Sequence, residues 1–367
     1  MHNHQRYNPA RLSIRGKSTW FFLLAIAALI PAKVSHAGGN AEQQTDYPGV
    51  VATINTTLRA YHYDPAELDT PEYLRIEQAV EALGASVTTD QALIEGFGKI
   101  WKEGPFSHVT LNKAQQSARE LADHLDAMRI GGGGATLTWQ DDVAVLTVRT
   151  MMGLDTIEEI DAAYDAIAER SAAALIIDLR ENGGGAFAVL PLVSHLLAEP
   201  FDAGVFVSQP WNATHARRPN LSDLRSVDPW EGWSIKAFWA DVQVNPITRI
   251  SFSPSEPGFD GPVYVLTSKW TASAAELAAD ALKSAQRATI IGENTAGEML
   301  SQKMYDIPGG FHLSLPIADY YSVVSGRIEG AGVSPDIEAD AADAFDIALQ
   351  QVQTSEGERQ REATTGR

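Results

Sequence analysis

The chain has 367 residues, 44% of them hydrophobic, with 28 Lys and Arg against 47 Asp and Glu and a formal net charge of -19. Such a charge repels nucleic acid and anionic lipid. Without Cys, disulfides and a thiol nucleophile are both excluded, so stability must come from burial of a core, which a chain of this length can supply.

Residues 1–19 carry Arg6, Arg11, Arg15 and Lys17 and no acid, and Trp20 to Ile30 is an unbroken apolar run. Pro31 follows, then Ser35-His36-Ala37 before Gly38. This is the pattern of a cleavable export signal over residues 1–37. The run is too short for a bilayer, which needs roughly twenty apolar residues. No Cys follows it, so a lipid anchor is not expected. The chain is therefore expected to be periplasmic or secreted, with no stable membrane anchor after cleavage. Loss of the five basic residues of 1–37 takes the formal charge from -19 to -24.

Residues 38–134 read as an N-terminal helical domain. Thr70-Pro71 is a cap followed by a first-turn proline. Tyr73, Leu74, Ile76, Val80 and Leu83 then recur at helical spacing, as do Ala92, Leu93, Phe97, Ile100 and Trp101. Ala118, Leu121, Leu125 and Met128 continue the pattern, and Gly131 to Gly134 mark a hinge. Residues 135–349 read as an α/β core. Ala135–Trp139 and Val143–Val148 form a β-hairpin. Asp155-Thr156-Ile157-Glu158 is a capping box opening a helix to about Ala172. Ala174–Asp178 is a buried strand and Phe187–Leu197 a helix. Residues 200–261, with Trp211, Trp230, Trp233 and Trp239, read as an insertion, either a packed excursion or a substrate lid. Val263–Thr267 is a second buried strand, followed by a helix over 273–286 and a strand Thr289–Gly292. Residues 302–325 read as hairpins, and 350–367 as a flexible tail.

Four segments can carry chemistry. Ser273, in Thr271-Ala272-Ser273-Ala274-Ala275-Glu276, follows a buried strand and opens a helix, so the Ala274 N–H lies where an oxyanion could be stabilised. Ser273 and Glu276 also read as a plain capping box. Asp178-Leu179-Arg180-Glu181-Asn182-Gly183-Gly184-Gly185 ends a strand in a turn whose backbone can approach a ligand closely. It lacks the spacing of a nucleotide loop. His108, after Ser107, sits in a loop between helices, where catalytic residues concentrate. Glu329, in a turn-rich stretch before Asp336, reads equally as a surface acid. No cofactor or metal is expected, since no His pair has ligand spacing.

In this order the segments resemble serine peptidase family S41, which groups tail-specific proteases, tricorn-core proteases and interphotoreceptor retinoid-binding protein. The Asp-Leu-Arg-x-Asn-x-Gly-Gly turn, Thr271–Glu276, "RATIIGENTAG" and "EGAGVSPDI" carry the likeness, over roughly residues 135–340. The resemblance implies a crotonase/Clp-like spiral ββα core. In the tail-specific branch a Lys serves as base; Glu298 occupies that place here, and the nearest Lys is Lys303. The tricorn-like branch uses a His preceded by Ser and a late Glu, which Ser107, His108 and Glu329 match. Four glycines leave no room for a PDZ domain.

The resemblance implies peptide hydrolysis through an acyl-enzyme. Ser273 is the expected nucleophile and His108 the base, with Ser107 and Glu329 as its relay. The N–H groups of Gly184 and Ala274 form the expected oxyanion hole. The partner is then a peptide or protein substrate. A carrier of hydrophobic ligands and a crotonase-like thioester enzyme are the alternatives on the same fold.

Overall fold

The computed structural model describes residues 45–231 and 234–365, with side chains described to residue 355. The expected export signal and Trp233 lie outside the described residues.

Helices α1 (Tyr47–Tyr61), α2 (Pro71–Ser86) and α3 (Asp90–Trp101) open the chain, with a 3-10 turn at Pro65–Asp69. Each starts on a side-chain cap: Asp46 accepts the Gly49 N–H, Thr70 that of Tyr73 and Thr89 that of Ala92. Their apolar faces meet through buried Ile54, Leu58, Tyr73, Leu93 and Phe97. The helical reading then fails at β1 (Thr110–Lys113), which pairs antiparallel with residues 311–314. Four residues are too few to show a period-two pattern, and the pairing partner lies far along the chain. The N-terminal segment thus contributes a strand to a sheet of the core. Helix α4 (Ala118–Asp126) closes the segment with a capping box between Ser117 and Glu120.

Three of the four glycines that follow are anchored by carboxylates. Helix α5 (Leu154–Arg170) begins at Gly153 with no side-chain cap, so the expected capping box from Asp155 does not form. Asp155 instead accepts the N–H groups of Ile130, Gly131 and Gly132 at 3.0, 2.8 and 2.9 Å. Glu159 accepts those of Gly133 and Ala135 at 2.7 and 2.8 Å.

One sheet is built from β2 (Ala135–Gln140), β3 (Val143–Val148), β4 (Ala174–Asp178), β7 (Val263–Thr267), β8 (Thr289–Gly292) and β12 (Ile337–Glu338). Its order is β12-β8-β7-β4-β3-β2, and every pair except the β2–β3 hairpin is parallel. Parallel strands are covered on both faces, hence the unbroken apolar runs at Leu175, Ile176 and Ile177, all at 0% exposure. Helix α6 (Val189–Ser194) is shorter than expected, and α10 (Ala274–Ser284) packs against it.

The second sheet centres on β10 (Phe311–Ser322), buried at all twelve positions. It is flanked by β1, β5 (Phe201–Ser208), β9 (Ser301–Ile307) and β11 (Gly326–Arg327), and β6 (Ile247–Phe252) pairs with β5. The expected insertion therefore supplies two core strands. Only the stretch between them is an excursion, with short helices α7 (Gln209–Asn212), α8 (Leu221–Leu224) and α9 (Ile235–Val244). Its aromatics are packed: Trp211 stacks on His215, Trp230 meets Phe238 edge-on, and Trp239 Nε1 donates to Gln302 O at 2.9 Å. The tail expected to be flexible forms helix α11 (Ala344–Thr365), because Ala348 and Val352 bury against Val145, Tyr264 and Leu266. Among the described residues no helix is long and apolar enough to cross a membrane.

Candidate active site

Because β4, β7 and β8 run parallel, their carboxyl ends open on one edge of the sheet. The glycine turn after β4, the Ser273 loop after β7 and the 293–300 loop after β8 therefore meet. Ala272 N–H donates to Asn182 O at 3.0 Å, Thr271 Oγ1 to Leu179 O at 2.9 Å and Ser268 Oγ to Arg180 O at 2.5 Å. Asn182, fully buried, donates from Nδ2 to Val148 O at 3.0 Å and accepts the Gly184 N–H at 2.8 Å. The expectation that the Gly184 N–H is an oxyanion donor departs from this geometry, since that N–H is committed to Asn182. Gly184 contributes its lack of a side chain: at φ +94° a Cβ would lie 2.6 Å from Ser273 Cβ and 2.7 Å from Ala272 O. The N–H groups of Ala274 and Gly185 have no acceptor among the described residues.

Ser273 stands at the start of α10 with φ 55° and ψ -122°, a left-handed conformation that costs a non-glycine residue about 1–3 kcal/mol. Its hydroxyl faces the Glu276 N–H as in a capping box but closes no cap hydrogen bond. What holds the conformation is Glu276, at 0% exposure. Its Oε2 accepts the N–H groups of Ser273 and Glu298, each at 2.9 Å. Its Oε1 accepts from Thr295 Oγ1 at 2.6 Å and the Gly297 N–H at 2.7 Å. Burial raises this carboxyl's pKa while the four donors oppose the shift.

The same loop also meets Glu329. The Met299 and Leu300 N–H groups donate to Glu329 Oε2 at 2.6 and 3.1 Å. Ser107 Oγ donates to Glu329 Oε1 at 2.8 Å and lies 2.6 Å from His108 Nδ1. A hydroxyl has one proton, and Ser107 gives it to the carboxylate, so it accepts from Nδ1–H. That assigns the tautomer and leaves Nε2 with its lone pair. Burial lowers the His108 pKa, and the charge of Glu329 pulls it back up. The imidazole is therefore neutral near pH 7. It is delivered by the loop after α3, where Phe106 packs 4.1 Å from the His62 ring and 5.2 Å from that of Trp101.

Ser107, His108 and Glu329 thus form one hydrogen-bonded chain, and Ser273 is tied to it through Glu276 and residues 295–300. Lys303 stands apart: it donates to Gln243 Oε1 at 2.5 Å, and burial lowers its pKa. Sequence reasoning gave Glu276 only as a capping partner and missed Asn182 as the brace of the glycine turn. The signal for both is a buried polar residue beside a turn. Among the described residues no group of three or more His, Asp or Glu side chains is placed to hold a metal ion.

The sequence profile of peptidase family S41 matches residues 142–339. A chloroplastic C-terminal processing peptidase of Tetradesmus obliquus is 28% identical over 178 residues, 48% of this chain and 31% of that protein. The chloroplastic carboxyl-terminal-processing peptidase 2 of Arabidopsis thaliana is 39% identical over 174 residues, 47% of this chain and 27% of that one. The chain thus spans about a third or less of these curated relatives. Among solved structures, a putative peptidase from Parabacteroides merdae superposes with a TM-score of 0.59 at 16% identity, covering 84% of this chain and 97% of that one. The photosystem II D1 C-terminal processing protease gives 0.51 at 15% identity, covering 81% and 94%. At these identities the structures share the fold.

Proposed function

Because the chain belongs to peptidase family S41, we propose that it is a serine peptidase in which Ser273 forms an acyl-enzyme with His108 as general base. The observation that carries this reading is the Glu329–Ser107–His108 chain, which fixes the imidazole as a neutral base with Nε2 open.

On this reading Ser273 Oγ attacks a peptide carbonyl as His108 Nε2 takes its proton. The new imidazolium is stabilised through Ser107 by the Glu329 carboxylate, the part a buried Asp plays in other triads. The oxyanion is met by the Ala274 N–H at the positive end of α10, with the Gly185 N–H as second donor in place of Gly184. His108 then returns the proton to the leaving amine. Water enters by the reverse sequence and frees Ser273. The role is in keeping with export, which the basic and apolar composition of residues 1–37 supports.

Incubation with a fluorophosphonate followed by peptide mapping tests the assignment. One adduct on Ser273, lost in His108→Ala, is expected. An unlabelled, folded protein that retains a hydrophobic ligand would replace the peptidase with a carrier.

A further inference from the structure

Glu298 is half-buried, and among the described residues no cation or hydrogen-bond donor meets its carboxyl. Its position is fixed beside the nucleophile, because its N–H and that of Ser273 share one oxygen of Glu276. Burial raises its carboxyl's pKa, and repulsion from the nearby Glu329 charge adds to the shift. Glu329 cannot turn to relieve it, being held by Ser107, Met299 and Leu300. Lys303, five residues on, is taken by Gln243. The unbound site therefore holds a negative charge with no internal counterion, in a place where water screens it only partly.

A cation entering with the substrate would offset both the burial and the repulsion through a charge-assisted hydrogen bond. A formal charge of -19 on the chain attracts such substrates before contact. We propose that Glu298 selects peptides with Lys or Arg next to the scissile bond, its carboxylate pairing with the substrate's cationic side chain; this rests on the peptidase reading above.

The test uses the full chain and peptides blocked at both ends, identical except for Lys or Met at each of the two positions on either side of the cleaved bond. In the wild type kcat/KM is expected to favour Lys by about tenfold or more at one of these positions. The ratio should fall to about one in Glu298→Gln and below one in Glu298→Lys. Equal rates for Lys and Met peptides at every position in the wild type would overturn the selection while leaving the peptidase reading intact. A Lys preference that survives in Glu298→Gln overturns it too, as does an equal loss on both peptide sets. If the wild type cleaves neither set, both readings fail.

Discussion

Ser273 and Glu298 are held by a single oxygen: both backbone N–H groups donate to Glu276 Oε2 at 2.9 Å. One and two residues past Glu298, the N–H groups of Met299 and Leu300 grip Glu329. The strained backbone of Ser273 and the Glu329 carboxylate are therefore held by the same short loop.

Glu276→Gln tests that coupling. Each carboxylate oxygen accepts two donors, and an amide nitrogen accepts none, so two of the four hydrogen bonds must be abandoned in either orientation. A loss of about 2 kcal/mol or more in denaturant unfolding is expected, with a fall in kcat. An unchanged midpoint with unchanged kcat would remove Glu276 from this role.

Ser273→Gly should separate stability from chemistry. Glycine adopts φ 55° freely, and the hydroxyl closes no cap hydrogen bond that would be lost. The variant should melt at or above the wild-type temperature and yet form no covalent adduct. A variant that melts well below the wild type would show that the serine side chain supports the turn.

The base assignment predicts a sharp ranking. His108→Ala should lower kcat by several orders of magnitude, and Ser107→Ala by about a hundredfold or more, since the imidazole then loses its tautomer partner. Lys303→Ala should do far less, because its ammonium is bound to Gln243. Steady-state kinetics on one peptide settles the order. Loss of activity in the Lys303 variant alone would move the chemistry to a Ser–Lys pair.

Acid should destabilise the fold through His62. Burial lowers this imidazole's pKa from 6.5 to about 4. Its Nε2 lies 3.8 Å from Glu67 Oε2, outside hydrogen-bonding range. Between these values the unfolded chain binds a proton that the folded one does not. The contribution is thus complete above about pH 6.5 and lost as pH falls toward 4, and reaches roughly 3 kcal/mol. Urea unfolding at pH 7 and pH 4.5 measures it. His62→Gln should flatten the pH dependence; an identical slope would assign the acid sensitivity elsewhere.

The parallel strands could be read from sequence because burial on both faces leaves continuous apolar runs such as Leu175 to Ile177. The edge where three loops meet follows from that topology. Three features were hidden. Strand β1 is four residues long and finds its partner two hundred residues away. Strands β5 and β6 lay within a stretch that Trp and Pro made look like an excursion. The tail's polar composition masked the few apolar residues that dock α11. As for the site, Ser107, His108 and Glu329 were ordinary residues until a family resemblance grouped them, since nothing local marks a relay whose ends are distant in the chain. The glycine turn was expected to offer the Gly184 N–H to a ligand, but which way that N–H faces depends on Asn182, which accepts it.

The hydrogen bond from Ser107 to Glu329 spans 222 positions of the chain. During synthesis at about 5–20 residues per second, His108 emerges roughly ten to forty seconds before the Glu329 carboxylate that its neighbour Ser107 meets. Ser273 appears between them, on a helix whose clamp loop is not yet made. A nascent chain thus carries Ser107, His108 and Ser273 before the partners that orient them exist. On the peptidase reading the unfinished chain would be harmless to the machinery that makes it, since the His108 tautomer is set only once Glu329 has joined Ser107.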